Sequence, residues 1–488
     1  MKAMLIRSSI VPILATLFGA AHSFVTPTSN VQLIGSKLFA SDSEVGETGL
    51  SRRQFGELTV AGVGLGVSFL GTRESNPTDY GLWGVLPVET FKTKTTLMKE
   101  IVPGKIWTLD QKLGFLNVQV PIRATVVKLS DGGLWVYNPV AATPEVVGML
   151  QGLVKDHGPL KHIVVGSVAE EHKVYAGVLA QKFPNAQVWL QPGQYSFPVD
   201  LPESFLGFPA SRTKTIPKPE DAPEDWKKDF DFLTLGPLIT RRFGAFGETV
   251  FRHKDTKTLI VTDTVLEVTD EVPEICELQP APLLFHARDT VTDVVENTPE
   301  VRKRGWRRTA LFGLFFLPSA IRIKDFGAAL KDRRPDIDPY LFGIYPWDWK
   351  GDEKASFDAL TGGLLVAPIL QTLLLNREPI EVLDFADAVS KWEIERIIPA
   401  HFKNDLKYTG ADFRRAYTFL EASGEPKGQP KPLEADLTLL RDAEVGLVGA
   451  GVIFPTPPLA GGKFSREDIL KQTLYQCRKG VCAPRASA

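Results

Sequence analysis

The sequence predicts a layered α/β fold, because short apolar runs alternate along the chain with segments of helical periodicity. Three of the runs are rich in Val and Ile and have the length of buried strands in a sheet covered on both faces. Each ends close to residues that can bind a metal: residues 162–166 precede Glu171 and His172, residues 258–262 precede Asp263, and residues 396–400 precede His401. Because ligands collect beyond strand ends in such folds, these two imidazoles and two carboxylates predict a metal site.

The first part of the predicted domain reads as a hairpin followed by alternating helices and strands. Asp131-Gly132 between two strand-like runs favours a tight turn. Thr143 is a predicted N-cap, because Pro144 at the first helical position and an apolar stripe follow it. The predicted strands are 104–109, 124–129, 134–137, 162–166 and 187–190, and the predicted helices begin at Pro144 and at Tyr175.

A second block of strands follows, and helices dominate the rest of the chain. The region from Thr290 to about Gly362 is basic and aromatic and predicts a helical insertion, whose apolar run is far too short to span a membrane. Its basic flank could contact an acidic membrane surface or form a solvated helix face. The other predicted elements are strands at 231–234, 248–252 and 259–262, helices at 363–376 and 382–392, and amphipathic stretches at 433–445 and 466–475.

The N-terminal residues predict targeting segments that precede the fold. An apolar run at residues 10–21 follows basic residues, so residues 1–24 have the layout of a signal peptide. Residues 25–75 resemble a plastid transit region of an alga with secondary plastids. Within them, Arg52 and Arg53 precede a second apolar run, as in a twin-arginine signal, although that run could instead remain as a short anchor. We therefore expect a chloroplast protein that resides in the thylakoid lumen or faces the stroma.

Length and composition limit what the rest of the chain can be. It is long enough for one large domain at residues 76–425, followed by a linker and C-terminal tail at residues 426–488. The formal net charge of -2 provides no electrostatic footprint for nucleic acid, so we expect no nucleic-acid partner. Three cysteines are too few for a disulfide scaffold. Cys477 and Cys482 could close a redox-sensitive loop or remain two free thiols.

Several phrases of the chain resemble an uncharacterised family, domain of unknown function 4336. They lie at residues 131–136, 159–164, 171–173, 183–186, 192–196, 258–263 and 397–402. That family in turn looks like a divergent branch of the metallo-β-lactamase-like hydrolases. The resemblance implies an αββα sandwich, which this chain would extend with the helical insertion and the C-terminal tail.

Metallo-β-lactamase-like hydrolases bind one or two metals, often zinc, between two facing sheets. The residues of this chain that match one complete metal position are Glu171, His172, Asp263 and His401. Two nitrogens and two oxygens would suit one zinc, manganese or iron(II) ion. A single ion could still polarise a carbonyl or phosphoryl oxygen and lower the pKa of water, so hydrolysis is compatible with this set.

The family's other metal position has lost its ligands in this chain. Ser167 and Ala169 stand where the central motif has its first two histidines. A third family histidine would fall near Gly244, which cannot bind a metal, although Glu248 is close in sequence. The resemblance therefore implies at most one bound ion.

Two features of the sequence oppose a metal at the remaining position. Glu171 stands where the family has aspartate, and its side chain is longer by one methylene, about 1.5 Å. Lys173 directly follows His172, and an inward-pointing Lys173 could take the place of the metal as a cation paired with Glu171 and Asp263. The site would then be an ion-pair network.

Two classes of function remain open on this reading. One is a mono-metal hydrolase of an ester, thioester or phosphodiester. The other is a non-catalytic ligand-binding or assembly factor that uses the old cleft for a small molecule or a protein, with peripheral thylakoid membrane contact as a further expectation. Stoichiometric metal on the purified protein would favour the enzyme, and its absence would favour the binding factor.

Overall fold

The computed structural model describes residues 94–115, 118–195, 202–240, 244–337, 343–351, 353–421 and 428–457. All of them belong to one compact unit. The predicted signal peptide, the transit region, the tail stretch at 466–475 and the two tail cysteines lie outside the described residues.

The strands of the described residues form two large sheets and one small one. Their bounds are β1 (Leu97–Val102), β2 (Ile106–Phe115), β3 (Val118–Lys128), β4 (Leu134–Tyr137), β5 (Leu160–Val165), β6 (Gln187–Leu190), β7 (Thr213–Thr215), β8 (Phe230–Ile239), β9 (Ala245–His253), β10 (Thr258–Ile260), β11 (Ile321–Ile323), β12 (Trp347–Trp349) and β13 (Arg396–Ile398). The first sheet contains β1 to β7 in chain order, antiparallel up to β4 and parallel from β4 onward. The second has the order β13-β10-β9-β8, in which only β13 and β10 are parallel.

The α-helices alternate with strands in the first half of the fold and cluster in the second. Their bounds are α1 (Pro144–His157), α2 (Glu170–Lys173), α3 (Ala176–Lys182), α4 (Glu224–Asp229), α5 (Glu274–Glu277), α6 (Ala281–His286), α7 (Pro299–Phe315), α8 (Phe326–Lys331), α9 (Glu353–Asp358), α10 (Pro368–Leu373), α11 (Pro379–Val389), α12 (Gly410–Arg415) and α13 (Glu434–Gly449). Helix α1 begins as predicted, since the Thr143 side chain accepts a hydrogen bond from the Val146 amide and Pro occupies the first turn.

An aromatic core joins the inner faces of the two large sheets. Trp135 and Tyr137 of β4 lie 4.9 and 5.7 Å, between ring centroids, from Phe251 of β9. Trp226 of α4 is fully buried and meets Trp135 edge-on at 6.1 Å. Each such pair contributes about 0.5–1.5 kcal/mol beyond its buried area. The core therefore holds the two sheets together and determines how closely the loops at their ends approach.

Helices cover the outer faces of both sheets. Val382 and Phe385 of α11 share an apolar cluster with Val250, Leu259 and Ile397 of the second sheet. Helices α1 and α3 pack against β4 and β5 of the first sheet. Sheet against sheet with helices outside is the αββα sandwich, so the predicted fold class is confirmed.

The helical insertion has an apolar core of its own. Trp306 and Phe312 of α7 are buried there with Trp347 of β12, and Leu440 of α13 completes the cluster. The strands β11 and β12 pair antiparallel within this region and were absent from the prediction, because three residues each are too few to show a periodicity. The predicted stretch at 433–445 is helix α13. In the described part of the chain, every helix is too short or too polar to cross a membrane.

The predicted helix at 363–376 is wrong in its first third. Helix α10 begins at Pro368, and Leu365 instead exchanges backbone hydrogen bonds of 2.8 and 2.9 Å with Leu266. Proline disfavours helical conformation in the residue before it, so the helix starts at Pro368 and the preceding residues run extended.

Candidate metal centre

The ends of three strands meet at one edge of the sandwich. Strands β10 and β13 are parallel, so the loops that carry Asp263 and His401 leave the second sheet on the same side. The loop after β5 is hydrogen-bonded to β9 there, from the Thr249 amide to the Gly166 carbonyl at 2.8 Å. Helix α2, which carries Glu171 and His172, begins a few residues later. The topology therefore brings all four predicted ligand residues to one edge.

The side chains of these residues converge closely. Nε2 of His401 lies 3.1 Å from Nε2 of His172. The Asp263 carboxylate spans both rings, with Oδ1 at 3.4 Å from His401 Nε2 and Oδ2 at 3.6 Å from His172 Nε2. Glu171 offers a carboxylate oxygen that lies, with one nitrogen of each histidine, in a group of atoms all within 4.8 Å of one another.

These separations match the ligand shell of a single ion. Nitrogen and oxygen ligands bind zinc-sized ions at about 2.0–2.2 Å, so two ligands at angles of about 90–110° lie about 2.8–3.6 Å apart. The three distances among His172, Asp263 and His401 lie between 3.1 and 3.6 Å. The spacing of His172, Asp263 and His401 therefore fits one ion, and Glu171 lies in a group with the two histidines that does not include Asp263.

A hydrogen bond at Nδ1 of His401 directs the Nε2 atom of that ring toward this centre. Nδ1 of His401 lies 2.8 Å from the Pro121 carbonyl, which can only accept, so Nδ1 carries the proton. In the neutral ring Nε2 of His401 is then a bare lone pair, as metal ligation requires. His172 is fully buried, and its Nδ1 has no hydrogen-bond partner in the described structure. A proton or a bound cation must lie between the two Nε2 atoms.

The charges of the site favour the metal-binding protonation state of Asp263 and of His401, whereas His172 is held more readily as the protonated ring. Burial acts to raise the pKa of Asp263, but the nearby His172 and His401 rings hold it below its usual value. Burial lowers the pKa of His401. For His172 burial also acts to lower the pKa, but the Asp263 carboxylate outweighs it and the pKa is raised. Asp263 is thus an anion and His401 a neutral base near neutral pH.

Lys173 does not occupy the centre, so the predicted alternative of an ion-pair network with Glu171 and Asp263 is wrong. Its Nζ lies 3.1 Å from Oε1 of Glu170 and donates to the Tyr195 carbonyl. Lys173 and Glu170 are three residues apart on helix α2 and so share a face. Glu171 makes no hydrogen bond or ion pair with the described residues outside this centre, which leaves its carboxylate available as a ligand.

The residues that stand where the resemblance implies a second metal position bind other protein groups. The Ser167 hydroxyl accepts from the Ala169 amide at 3.2 Å, and the Gln194 side chain donates to the Ser167 carbonyl at 3.0 Å. At Gly244 an added Cβ would lie 2.5 Å from the ring side of Tyr195, so a histidine does not fit there. The carboxylate of Glu248, which is close to Gly244 in sequence, accepts hydrogen bonds from residues 262–264 instead of facing a second ion.

Sequence reasoning missed the residue that holds the His401 loop. Arg123 of β3 donates to the carbonyls of Pro399 and Phe402 at 2.5 and 3.1 Å, on either side of His401. Its guanidinium also forms a bidentate pair with Asp110 at 2.6 and 3.1 Å. The available signal was an arginine between the apolar residues Ile122 and Ala124, because a buried charge requires a partner.

Comparison with known proteins identifies the family of this chain. The family model described as "Domain of unknown function (DUF4336)" matches residues 103–419. The chain belongs to this family. A comparison with curated proteins found none that matches.

Three solved structures that resemble the chain are remote from it in sequence. A flavo di-iron protein variant from Thermotoga maritima is 12% identical over 69% of this chain and 65% of its own, with a TM-score of 0.33. A metal-soaked flavodiiron core from a Synechocystis species is 10% identical over 67% and 60%, with a TM-score of 0.32. A metallo-beta-lactamase from Pontibacter korlensis is 11% identical over 55% and 99%, with a TM-score of 0.26. The chain spans less than two thirds of the two flavodiiron chains.

Proposed function

We propose that the chain is a plastid protein that binds one metal ion on a metallo-hydrolase-like scaffold and uses it to hydrolyse an ester, thioester or phosphodiester. The observation that carries this proposal is the pair of Nε2 atoms of His172 and His401, 3.1 Å apart and spanned by the Asp263 carboxylate. Two lone pairs at this distance repel unless a cation or proton lies between them, and the surrounding donors suit a metal.

Each residue has a separate task in this proposal. His401 presents Nε2 because the Pro121 carbonyl holds its other nitrogen. Asp263 supplies the negative charge that both imidazoles share, and the partly exposed Glu171 supplies the last oxygen from the solvent side. A bound ion at this position would polarise a carbonyl or phosphoryl oxygen and lower the pKa of water.

The coordination number decides between hydrolysis and the second candidate function. Four protein ligands fill a tetrahedral zinc site, which then resembles a closed structural site. A six-coordinate manganese or iron(II) ion would retain two open positions for water and substrate. The non-catalytic binding factor is favoured by the low exposure of the site, since the side chains of His172, His401 and Asp263 are 0%, 11% and 17% exposed.

The test is a metal-dependent hydrolysis assay. The chain from about residue 76 is stripped of metal, reloaded separately with zinc, manganese or iron(II), and assayed with an aryl ester, a thioester and an aryl phosphodiester. We expect turnover with manganese or iron(II), and its loss in His401→Ala. The matched control is His157→Ala, a histidine at the end of helix α1. Stoichiometric metal without turnover on any of the three would support the binding factor.

The subcellular location of the protein is a separate part of the proposal. We propose import into the plastid through residues 1–75, and then residence in the thylakoid lumen or on the stromal side of the membrane. The proposed partners are a small-molecule substrate or a protein, with peripheral contact at the thylakoid membrane.

A further inference from the structure

Glu248 of β9 is a fully buried carboxylate, and its hydrogen-bond donors among the described residues all lie in the loop that carries Asp263. It accepts from the backbone amides of Thr262, Asp263 and Thr264 at 2.6, 2.8 and 2.9 Å, and from the Thr264 hydroxyl at 2.9 Å. One carboxylate thus binds three successive amides. This arrangement restricts the backbone conformation at Asp263, the middle residue, because all three N–H groups must point toward the Glu248 carboxylate.

Neutral groups hold the same loop from the remaining sides. The Thr262 hydroxyl lies 2.8 Å from the Tyr137 hydroxyl and accepts from the side-chain Nδ2 of Asn138 at 2.7 Å. The Tyr417 hydroxyl donates to the Thr264 carbonyl at 3.1 Å. These contacts leave the Asp263 side chain as the part of the loop that faces the two histidines.

We propose that Glu248 is the positioning residue for the metal centre, which it orients through the Asp263 backbone without touching the ion. This rests on the proposed function, because it assigns Glu248 a role at the same site. A residue near the family's lost second metal position would then serve the remaining one. The chain would keep a single rigid centre in place of two ions.

A side-chain amide at position 248 cannot accept all four of these hydrogen bonds. In Glu248→Gln one oxygen remains, and the amide NH₂ must face N–H groups that it cannot accept from. Oε1 of Glu248 accepts from the Thr262 amide and Oε2 accepts from the amides of Asp263 and Thr264, so at least one of the three amides loses its acceptor whichever oxygen is replaced. The matched control is Tyr417→Phe, which removes one hydrogen bond from the same loop and leaves Glu248 intact.

The experiment titrates metal-free protein with Co²⁺ and records both the dissociation constant and the visible absorption of the bound ion. In Glu248→Gln we expect binding weaker by about 10–100-fold, as for lost partners of metal ligands, with an altered absorption spectrum. Tyr417→Phe should keep the spectrum of the unmutated protein. Thr264→Val, which removes only the hydroxyl donor, is the substitute if Glu248→Gln does not fold. It should weaken binding in the same direction, and an unchanged dissociation constant would contradict the proposal.

Two results for Glu248→Gln would overturn the positioning role. One is an unchanged dissociation constant. The other is weaker binding with an unchanged spectrum, which would show that only the negative charge matters. If the unmutated chain binds no Co²⁺, the proposed function fails. Hydrogen exchange at the backbone amides of residues 262–264 then still tests whether Glu248 orders the Asp263 loop. Faster exchange in metal-free Glu248→Gln supports it, and equal exchange contradicts it.

Discussion

Replacing Arg123 by Met should both destabilise the fold and loosen the metal centre. The Arg123 side chain is 2% exposed, and its guanidinium pairs with Asp110, whose side chain is 10% exposed. It also donates to the carbonyls of Pro399 and Phe402, which flank His401. Phe402 adopts a left-handed backbone conformation with φ of 56°, so the loop is strained and needs these contacts.

The expected magnitude follows from what Arg123→Met leaves behind. Removing one partner of a buried ion pair costs about 3–5 kcal/mol, because the other charge remains buried without compensation. The carbonyls of Pro399 and Phe402 also lose their donor, so we expect the loss in unfolding free energy to lie toward the upper end of that range. In the double variant Arg123→Met with Asp110→Leu no unpaired carboxylate remains. That variant should be less stable than the unmutated protein by about 1–3 kcal/mol, from the carbonyls alone.

Urea unfolding of the metal-free proteins, followed by tryptophan fluorescence, measures these differences. The dependence of the unfolding free energy on urea should be the same in all variants, so that midpoint shifts report stability. Co²⁺ titration of the same proteins should show weaker binding in both variants, because each releases the His401 loop. A loss below about 1 kcal/mol in Arg123→Met, or a double variant no more stable than the single one, would refute the reasoning.

Three further predictions concern core packing, stabilisation by bound metal and subcellular location. Gly166→Ala should strongly destabilise the fold, because the added Cβ would lie 2.2 Å from the Tyr137 ring. Gly148→Ala lies in open space on helix α1 and should instead stabilise the protein by about 0.5–1 kcal/mol. Equal shifts of the two variants in thermal denaturation would contradict this prediction. Chelation should lower the melting temperature of the unmutated protein but not of the double variant His172→Ala with His401→Ala. A fluorescent fusion to residues 1–75 should enter the plastid, and changing the twin arginines to lysine should block only entry into the lumen. Full digestion of the unmutated fusion once the envelope is broken would instead place the protein on the stromal side.

Strands were predictable where an apolar run ended at a Gly or a polar residue. The runs that became β5, β10 and β13 have this form, and so do the two strands that flank Asp131-Gly132. Prediction was wrong where a local rule competed with periodicity, as at Pro368, which begins its helix later than the apolar pattern suggested. Strands β11 and β12 were missed because pairing partners distant in sequence stabilise such short segments.

The residues that converge at the site were predictable, but their supports were not. His172, Asp263 and His401 follow strands, so the resemblance and the strand ends indicated the same residues. The direction of Lys173 depended on a one-turn helix too short to recognise in sequence. The donors to Glu248 lie 14 to 16 residues away, and the carbonyls that bind Arg123 lie 276 and 279 residues away. In sequence, Arg123 was marked only by its charge between Ile122 and Ala124, and Glu248 only by its closeness to Gly244.

Anomalous X-ray scattering at the metal edge, from crystals of the protein loaded with zinc or manganese, tests the central claim most directly. We predict one strong peak, about 2.0–2.2 Å from Nε2 of His172, Nε2 of His401 and a carboxylate oxygen each of Asp263 and Glu171. The peak should disappear in the double variant His172→Ala with His401→Ala. A peak at another place, a second peak of equal strength beside Ser167 and Glu248, or no peak in crystals soaked with saturating metal would contradict the single-ion centre.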